Sequence, residues 1–106
     1  MRVESTAKFS IGELVDHQLF GYRGVIFDVD PSFQQSEEWY DNVAKSRPPK
    51  DQPWYHVLPH RATHSTYVAE RNLRPAEALD PIEHPMIQTL FTAFDGHRYE
   101  VRREVN

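Results

Sequence analysis

The side chains best equipped for chemistry fall in two short stretches. From PWYHVLPH onward, His56, His60 and His64 recur at every fourth position, and in VIFDVDP the carboxylates Asp28 and Asp30 stand two residues apart. Three imidazoles converging on one point would bind zinc, with ligand bonds of about 2.0 to 2.2 Å. Two neighbouring carboxylates with separated pKa values would form a general acid–base pair. A spacing of four puts side chains on one face only in a helix, and Pro59 is incompatible with a helix interior. Trp54 to Leu58 is aromatic and branched, which reads as strand. The histidine spacing therefore carries no ligand geometry. His56 is read as a polar contact among packed aromatics, and His60 and His64 as solvated in a turn. Asp28 and Asp30 are read as a solvated strand end before Pro31. The chain has no cysteine, which removes thiolate ligands and nucleophiles, and no GxSxG, GxxxxGK[ST] or GxGxxG pattern. The expectation is no enzyme, no metal and no cofactor.

A third group is aromatic and cationic. Phe20, Tyr22 and Arg23 cluster at a bend between two strand candidates, and Arg61, Arg71 and Arg74 flank two later ones. Rings beside guanidinium groups suit stacking on bases and contact with phosphates. The competing reading has Phe20 and Tyr22 closing a core while the arginines pair with nearby acids. Charge favours the second reading, since 16 acidic residues outweigh 12 basic ones for a net charge of −4. Nucleic-acid affinity depends on clustered cations. Nine of the twelve cations are arginine, however, the better side chain for a phosphate fork.

These residues need elements to hold them. At 106 residues, with 39% hydrophobic and 12% aromatic residues, the chain suits one small globular domain. Leu14 to His17 and Val25 to Asp30 read as two strands, with Val25, Phe27 and Val29 on one face and Ile26, Asp28 and Asp30 on the other. Gly21 and Gly24 lie between them, where a bulge or a positive φ is expected. Residues 32 to 53 form an excursion in which Ser36, Glu37 and Glu38 start a short helix carrying Trp39, Tyr40 and Val43 on one side. Arg47 to Lys50, with its double proline, ends it. Trp54 to Leu58 and Ser65 to Ala69 are further strands, and Glu70 to Leu73 a single helical turn. Met86, Ile87, Leu90, Phe91 and Phe94 follow helical spacing, so a helix is expected over about 85–95 with Asp95–Gly96 as its stop. It is read as a lid over the core or as an oligomer interface. The tail 96–106 alternates Tyr99, Val101 and Val105 as a frayed strand or exposed arm. Together these elements predict a mainly β chain: a small SH3-like barrel over about 8–75, an insertion after strand 2 and a C-terminal helix. No apolar run approaches the length of a membrane helix or signal peptide, so a soluble, cytosolic protein is expected.

AKFSIGELVDHQLFGYRGVIFDVDP, the Glu37–Tyr40 insertion, DQPWYHVL and TYVAERNL, in that order, resemble the HspQ heat-shock, or YccV-like, family, also described as hemimethylated-DNA-binding. The likeness spans residues 7 to about 75, and more loosely the HP…LF…FDGHRY tail. Gly21, Gly24, Asp28, Asp30, Pro31, Trp54, Tyr55 and His56 fall on the family signature, and folding explains most of them. The resemblance implies an SH3-like barrel in a bacterial cytosolic stress protein without enzymatic activity, forming homo-oligomers. Two roles are implied: binding hemimethylated DNA, and modulating substrate choice by the Lon protease. A generic SH3-like protein-interaction module without DNA binding is the alternative. Partner or DNA contacts are expected among Phe20, Tyr22, Arg23, His56, Arg61, Arg71 and Arg74.

Overall fold

The computed structural model describes residues 6–102. Five strands form one antiparallel sheet: β1 (Leu14–His17), β2 (Arg23–Asp30), β3 (Trp54–Pro59), β4 (Thr66–Ala69) and β5 (Leu73–Pro75). Their order is β4-β3-β2-β1-β5, with a 3-10 turn at Glu70–Asn72 directing the chain from β4 on one edge to β5 on the other. The four strands read from sequence are all present, and the single turn after Ala69 is the 3-10 turn. The sheet does not close, because β4 and β5 remain separate edges rather than paired neighbours as a closed barrel requires.

One residue overturns the expected faces of β2. Ile26 pairs with Val57, but the next partner of His56 is Asp28, so Phe27 is an extra residue in a bulge. A bulge inverts the inward–outward parity of everything beyond it. Val29 therefore joins Ile26, Val15, Tyr55, Val57, Val68 and Leu73 in one core, while Val25 and Phe27 face the other with Leu14 and Leu58. The expected row of Val25, Phe27 and Val29 is broken. Asp28 and Asp30 remain together, opposite His56 and Trp54.

The excursion is an ordered layer. Helix α1 (Glu37–Val43) starts where Ser36 Oγ accepts from the Trp39 N–H at 3.0 Å, with Glu37 and Glu38 favourably placed in the first turn. Trp39, Tyr40 and Ala44 pack with Phe33 against Trp54, Tyr67 and Ala69 of the sheet. Val43 departs from the expected apolar side and is 55% exposed. Tyr40 Oη donates to Pro48 O at 2.6 Å and Trp54 Nε1 to Pro49 O at 3.1 Å, which ties the double-proline segment down.

The C-terminal helix over 85–95 does not form. Only Ile87–Leu90 is helical (α2); Phe91–Phe94 (β6) and Tyr99–Val101 (β7) make an antiparallel hairpin. Asp95 Oδ1 accepts from the His97 and Arg98 N–H groups, both at 2.8 Å, so Asp95–Gly96 is a hairpin turn rather than a helix stop. Phe91 and Tyr99 bury against Leu14, Val25 and Leu58 together with Ile82. Helical spacing places Phe91 and Phe94 on one face, yet alternation past the turn buries Phe91 and Tyr99 more completely. Val105 lies outside the described residues.

Candidate functional site

A cavity of about 730 Å³ opens between three segments that are far apart in sequence: the β1–β2 tip, helix α1 with the turn after it, and strand β4. Its wall is mainly aromatic and apolar, from Phe20 and Tyr22 on one side through Trp54, His56 and Tyr67 to Trp39 and Val43 on the other.

Each wall is fixed by its own chemistry. At the tip, His17 is 5% exposed, and its Nδ1 accepts from the Leu19 and Phe20 N–H groups, both at 3.1 Å. The Phe20 ring stacks on the imidazole at 4.6 Å, and Gly21 turns the chain with φ +72°. Phe20 does not close a core as the apolar reading expected; it is 77% exposed. Tyr22 Oη and Thr66 Oγ1 lie 2.7 Å apart, joining the tip to β4, and burial pushes the Tyr22 phenol up. Gly24 serves a different need from Gly21, because a Cβ there would stand 2.6 Å from Val57 Cγ1 and 2.7 Å from Leu58 O.

The accepting role of Nδ1 requires a neutral imidazole, and burial holds the His17 pKa below its ordinary value. His60 is lowered as well, by burial first and then by Arg23 and Arg61. Depressed folded pKa values mean that the unfolded chain takes up protons first on acidification. The stability from these imidazoles is complete above pH of about 6.5 and falls as pH drops below that value. The urea midpoint should therefore be lower at pH about 5.5 than at about 7.5, and His17→Asn should shrink the difference. An equal pH dependence in that variant would remove His17 as a contributor.

The floor is a hydrogen-bond network. Tyr67 Oη donates to Asp30 Oδ2 at 2.7 Å and accepts from the Gln34 N–H at 3.0 Å. His56 Nε2 lies 3.1 Å from the same carboxylate oxygen, which as an acceptor fixes the proton on Nε2. Burial, followed by the hydrogen bond to Asp30, holds the Tyr67 phenol above the ordinary tyrosine range. Asp30 is thus a partly buried acceptor and not the solvated strand end expected. Asp28, Asp30 and His56 bring one ligand-capable atom each within 4.8 Å of one another. Asp30 Oδ2 already accepts from two donors, so the group's evident work is to orient Tyr67 and His56. His60 and His64 do not join it: His60 Nδ1 accepts from Glu83 N–H, and the carbonyl of His64 meets His84 Nε2.

The arginines gather differently. Asp16 pairs across the ladders with Arg23 on β2 and Arg74 on β5, and the His60 N–H donates to Arg23 O, so these residues form one row at the sheet's end. Acids interleave it. Arg23 Nη1 donates to the carbonyl of Asp80, Arg61 Nε to Glu83 Oε2 at 2.9 Å, and Arg74 Nε lies 3.9 Å from Asp16 Oδ2. Arg71 stands apart, donating to Ser46 O beside the excursion.

Of the expected contact residues, then, Phe20, Tyr22 and His56 meet in the cavity; Arg23 and Arg74 share the row, with Arg61 next to its His60 end and paired with Glu83; Arg71 belongs to neither. Among the signature positions, Trp54 and Tyr55 are fully buried and Pro31 follows the end of β2. Trp39, Val43, Lys45 and His17 line the cavity without having been singled out as site residues. The apolar side of the Ser36-capped helix signalled the first two; the others carry no local signal. No helix among the described residues is long and apolar enough to cross a membrane. A family model described as hemimethylated DNA-binding protein YccV like matches residues 7–98, nearly the whole chain. The chain with this open sheet and aromatic cavity belongs to the YccV-like family.

Proposed function

We propose that the chain is a non-enzymatic cytoplasmic regulatory protein of the HspQ type, which binds other proteins through the aromatic cavity and alters substrate degradation by the Lon protease. The observation that carries this reading is the character of the cavity: apolar and aromatic walls, flanked by Leu19, Phe20 and Val43 at 58%, 77% and 55% exposure. Protein-binding surfaces concentrate aromatic anchors in such desolvated pockets. The order β4-β3-β2-β1-β5, with a 3-10 turn ahead of β5, supports an SH3-like description even though the sheet is open. Purified Lon should degrade a client protein at a changed initial rate when this protein is added, and Phe20→Ala should weaken the change. An unaltered rate at saturating concentration would remove the proposal. Homo-oligomerisation is part of the same proposal, and sedimentation velocity at several concentrations tests it.

A second reading, binding of hemimethylated DNA, is favoured by the family description and by the row of Arg23 and Arg74 with Arg61 beyond its His60 end. Because acids interleave that row, few phosphates can be neutralised, so affinity should fall only gently with salt, with a log–log slope of about −0.9 per phosphate contacted. Arg23→Ala should reduce the magnitude of that slope by about 1 if Arg23 meets a phosphate. Equal affinity for hemimethylated and unmethylated duplexes at moderate salt would sink the methyl-reading role.

A further inference from the structure

The cavity touches Ser65, Thr66, Tyr67, Val68 and Ala69 in succession. Successive strand residues point to opposite faces, so a cavity that meets five in a row runs along the strand's free edge and not over one face. That edge is β4, an outermost strand of the sheet.

The backbone groups available there follow from ladder parity. The Glu70 N–H donates to Pro53 O at 3.1 Å, and the register pairs Trp54 with Ala69, Tyr55 with Val68, His56 with Tyr67 and Val57 with Thr66. Bonded and non-bonded pairs alternate in an antiparallel ladder. Counting from Pro53 and Glu70, Val68 and Thr66 spend their backbone groups on β3, whereas Tyr67 turns its N–H and C=O away from β3; Ala69 has the same parity but caps the 3-10 turn at the strand's end. One donor and one acceptor on a single edge residue are what an added strand engages.

Charge narrows the occupant. Lys45 lines the cavity and makes no ion pair among the described residues, whereas its neighbours Arg47 and Lys50 are held by Asp41 at 2.9 Å and Glu37 at 2.6 Å. We propose that the groove accepts an extended peptide segment of a partner protein, added as a strand to β4 at Tyr67, with a bulky apolar side chain between Phe20 and Trp39 and an acidic residue against Lys45. β4 offers four residues, about 13 Å of strand. The inference rests on the protein-binding reading above and gives it a ligand class.

The probe is a short synthetic peptide of alternating valine and tyrosine with glutamates at one end, titrated into the full chain. The Tyr67 amide should shift in the amide NMR spectrum and gain protection from hydrogen exchange. N-methylation of alternate peptide amides should abolish binding while methylation of the intervening ones does not. Lys45→Glu, an exposed change that leaves the core untouched, should weaken binding about tenfold and favour the same peptide with lysines in place of glutamates. Binding with an unperturbed Tyr67 amide overturns the inference. So does an absence of binding by either peptide; if Lon-dependent degradation still responds, the protein-binding reading survives alone, and if it does not, both fall. A hemimethylated duplex, or dilution of the protein alone, that moves the Tyr67 amide in place of the peptide would assign the groove to DNA or to a second copy and overturn it as well.

Discussion

Gly12→Ala is expected to destabilise the protein by about 3 kcal/mol or more and to release the C-terminal hairpin from the sheet. Gly12 has φ +93°, in the region that favours glycine, and a Cβ there would lie 2.1 Å from the carbonyl oxygen of Tyr99. The obstacle is backbone, so no side-chain rotation relieves it. Tyr99 N–H donates to Gly12 O at 2.8 Å, and Gly12 N–H to Ile26 O at 2.7 Å, which fixes the glycine between hairpin and sheet. Relief requires the hairpin to move outward, exposing Phe91, Tyr99 and Ile82 and the sheet residues Leu14, Val25 and Leu58 beneath them. Urea denaturation measures the loss, and limited proteolysis should show new cleavage between β5 and the hairpin. A variant within about 1 kcal/mol of the parent, with unchanged proteolysis, would show that this contact is not as close as described.

The second large effect falls on the wall of the cavity. Trp54 is 1% exposed and lies within ring-contact distance of Phe33 at 4.9 Å, Tyr67 at 5.1 Å and Trp39 at 6.0 Å. Truncating a buried tryptophan to alanine costs about 3 to 5 kcal/mol through lost burial and the void left behind. Because small domains are stable by only about 5 to 15 kcal/mol, Trp54→Ala should leave the protein barely folded at room temperature. Trp54→Phe separates the two contributions. It keeps an apolar ring but leaves Pro49 O, now 3.1 Å from Nε1, without its donor, at a cost of about 1 to 3 kcal/mol. The phenylalanine variant should remain folded and lose affinity for cavity ligands as the double-proline segment loosens. Should Trp54→Ala unfold at the parent's urea midpoint, the aromatic layer would be shown to contribute little to stability.

Both variants act where distant segments meet, and that is also where sequence reasoning reached its limit. β1 to β4 could be read locally, since Val25–Ile26–Phe27, Trp54–Tyr55 and Tyr67–Val68 have strong strand preference and lie between glycine or proline punctuation. The start of α1 was legible because Ser36 offers an N-cap just ahead of two acids. Resemblance to the family was legible as well, from ordered blocks instead of single residues. The bulge at Phe27 was not: its composition matches its neighbours, and only pairing with β3 decides which residue is extra. As a result the faces of Val29 and Ile26 were misassigned although their strand was correct.

The C-terminal segment shows the same limit more sharply. Met86, Leu90 and Phe94 at intervals of four support a helix, while Asp95–Gly96 serves equally as a helix stop or a hairpin turn. Local preferences for so short a stretch are nearly balanced, and burial of Phe91 and Tyr99 against Leu14 and Leu58 tips it to strand. The candidate site depends wholly on such contacts. His17, Trp39 and Tyr67 sit on three elements separated by loops, and no local pattern links a helix in an excursion to a hairpin tip. Sequence alone determined β1 to β4 and the capped helix, because each rests on preferences within a few residues, and it pointed to the family through the order of its blocks. Only the tertiary structure decided the parity of β2, the hairpin and the groove along β4, because each depends on which distant surfaces bury one another.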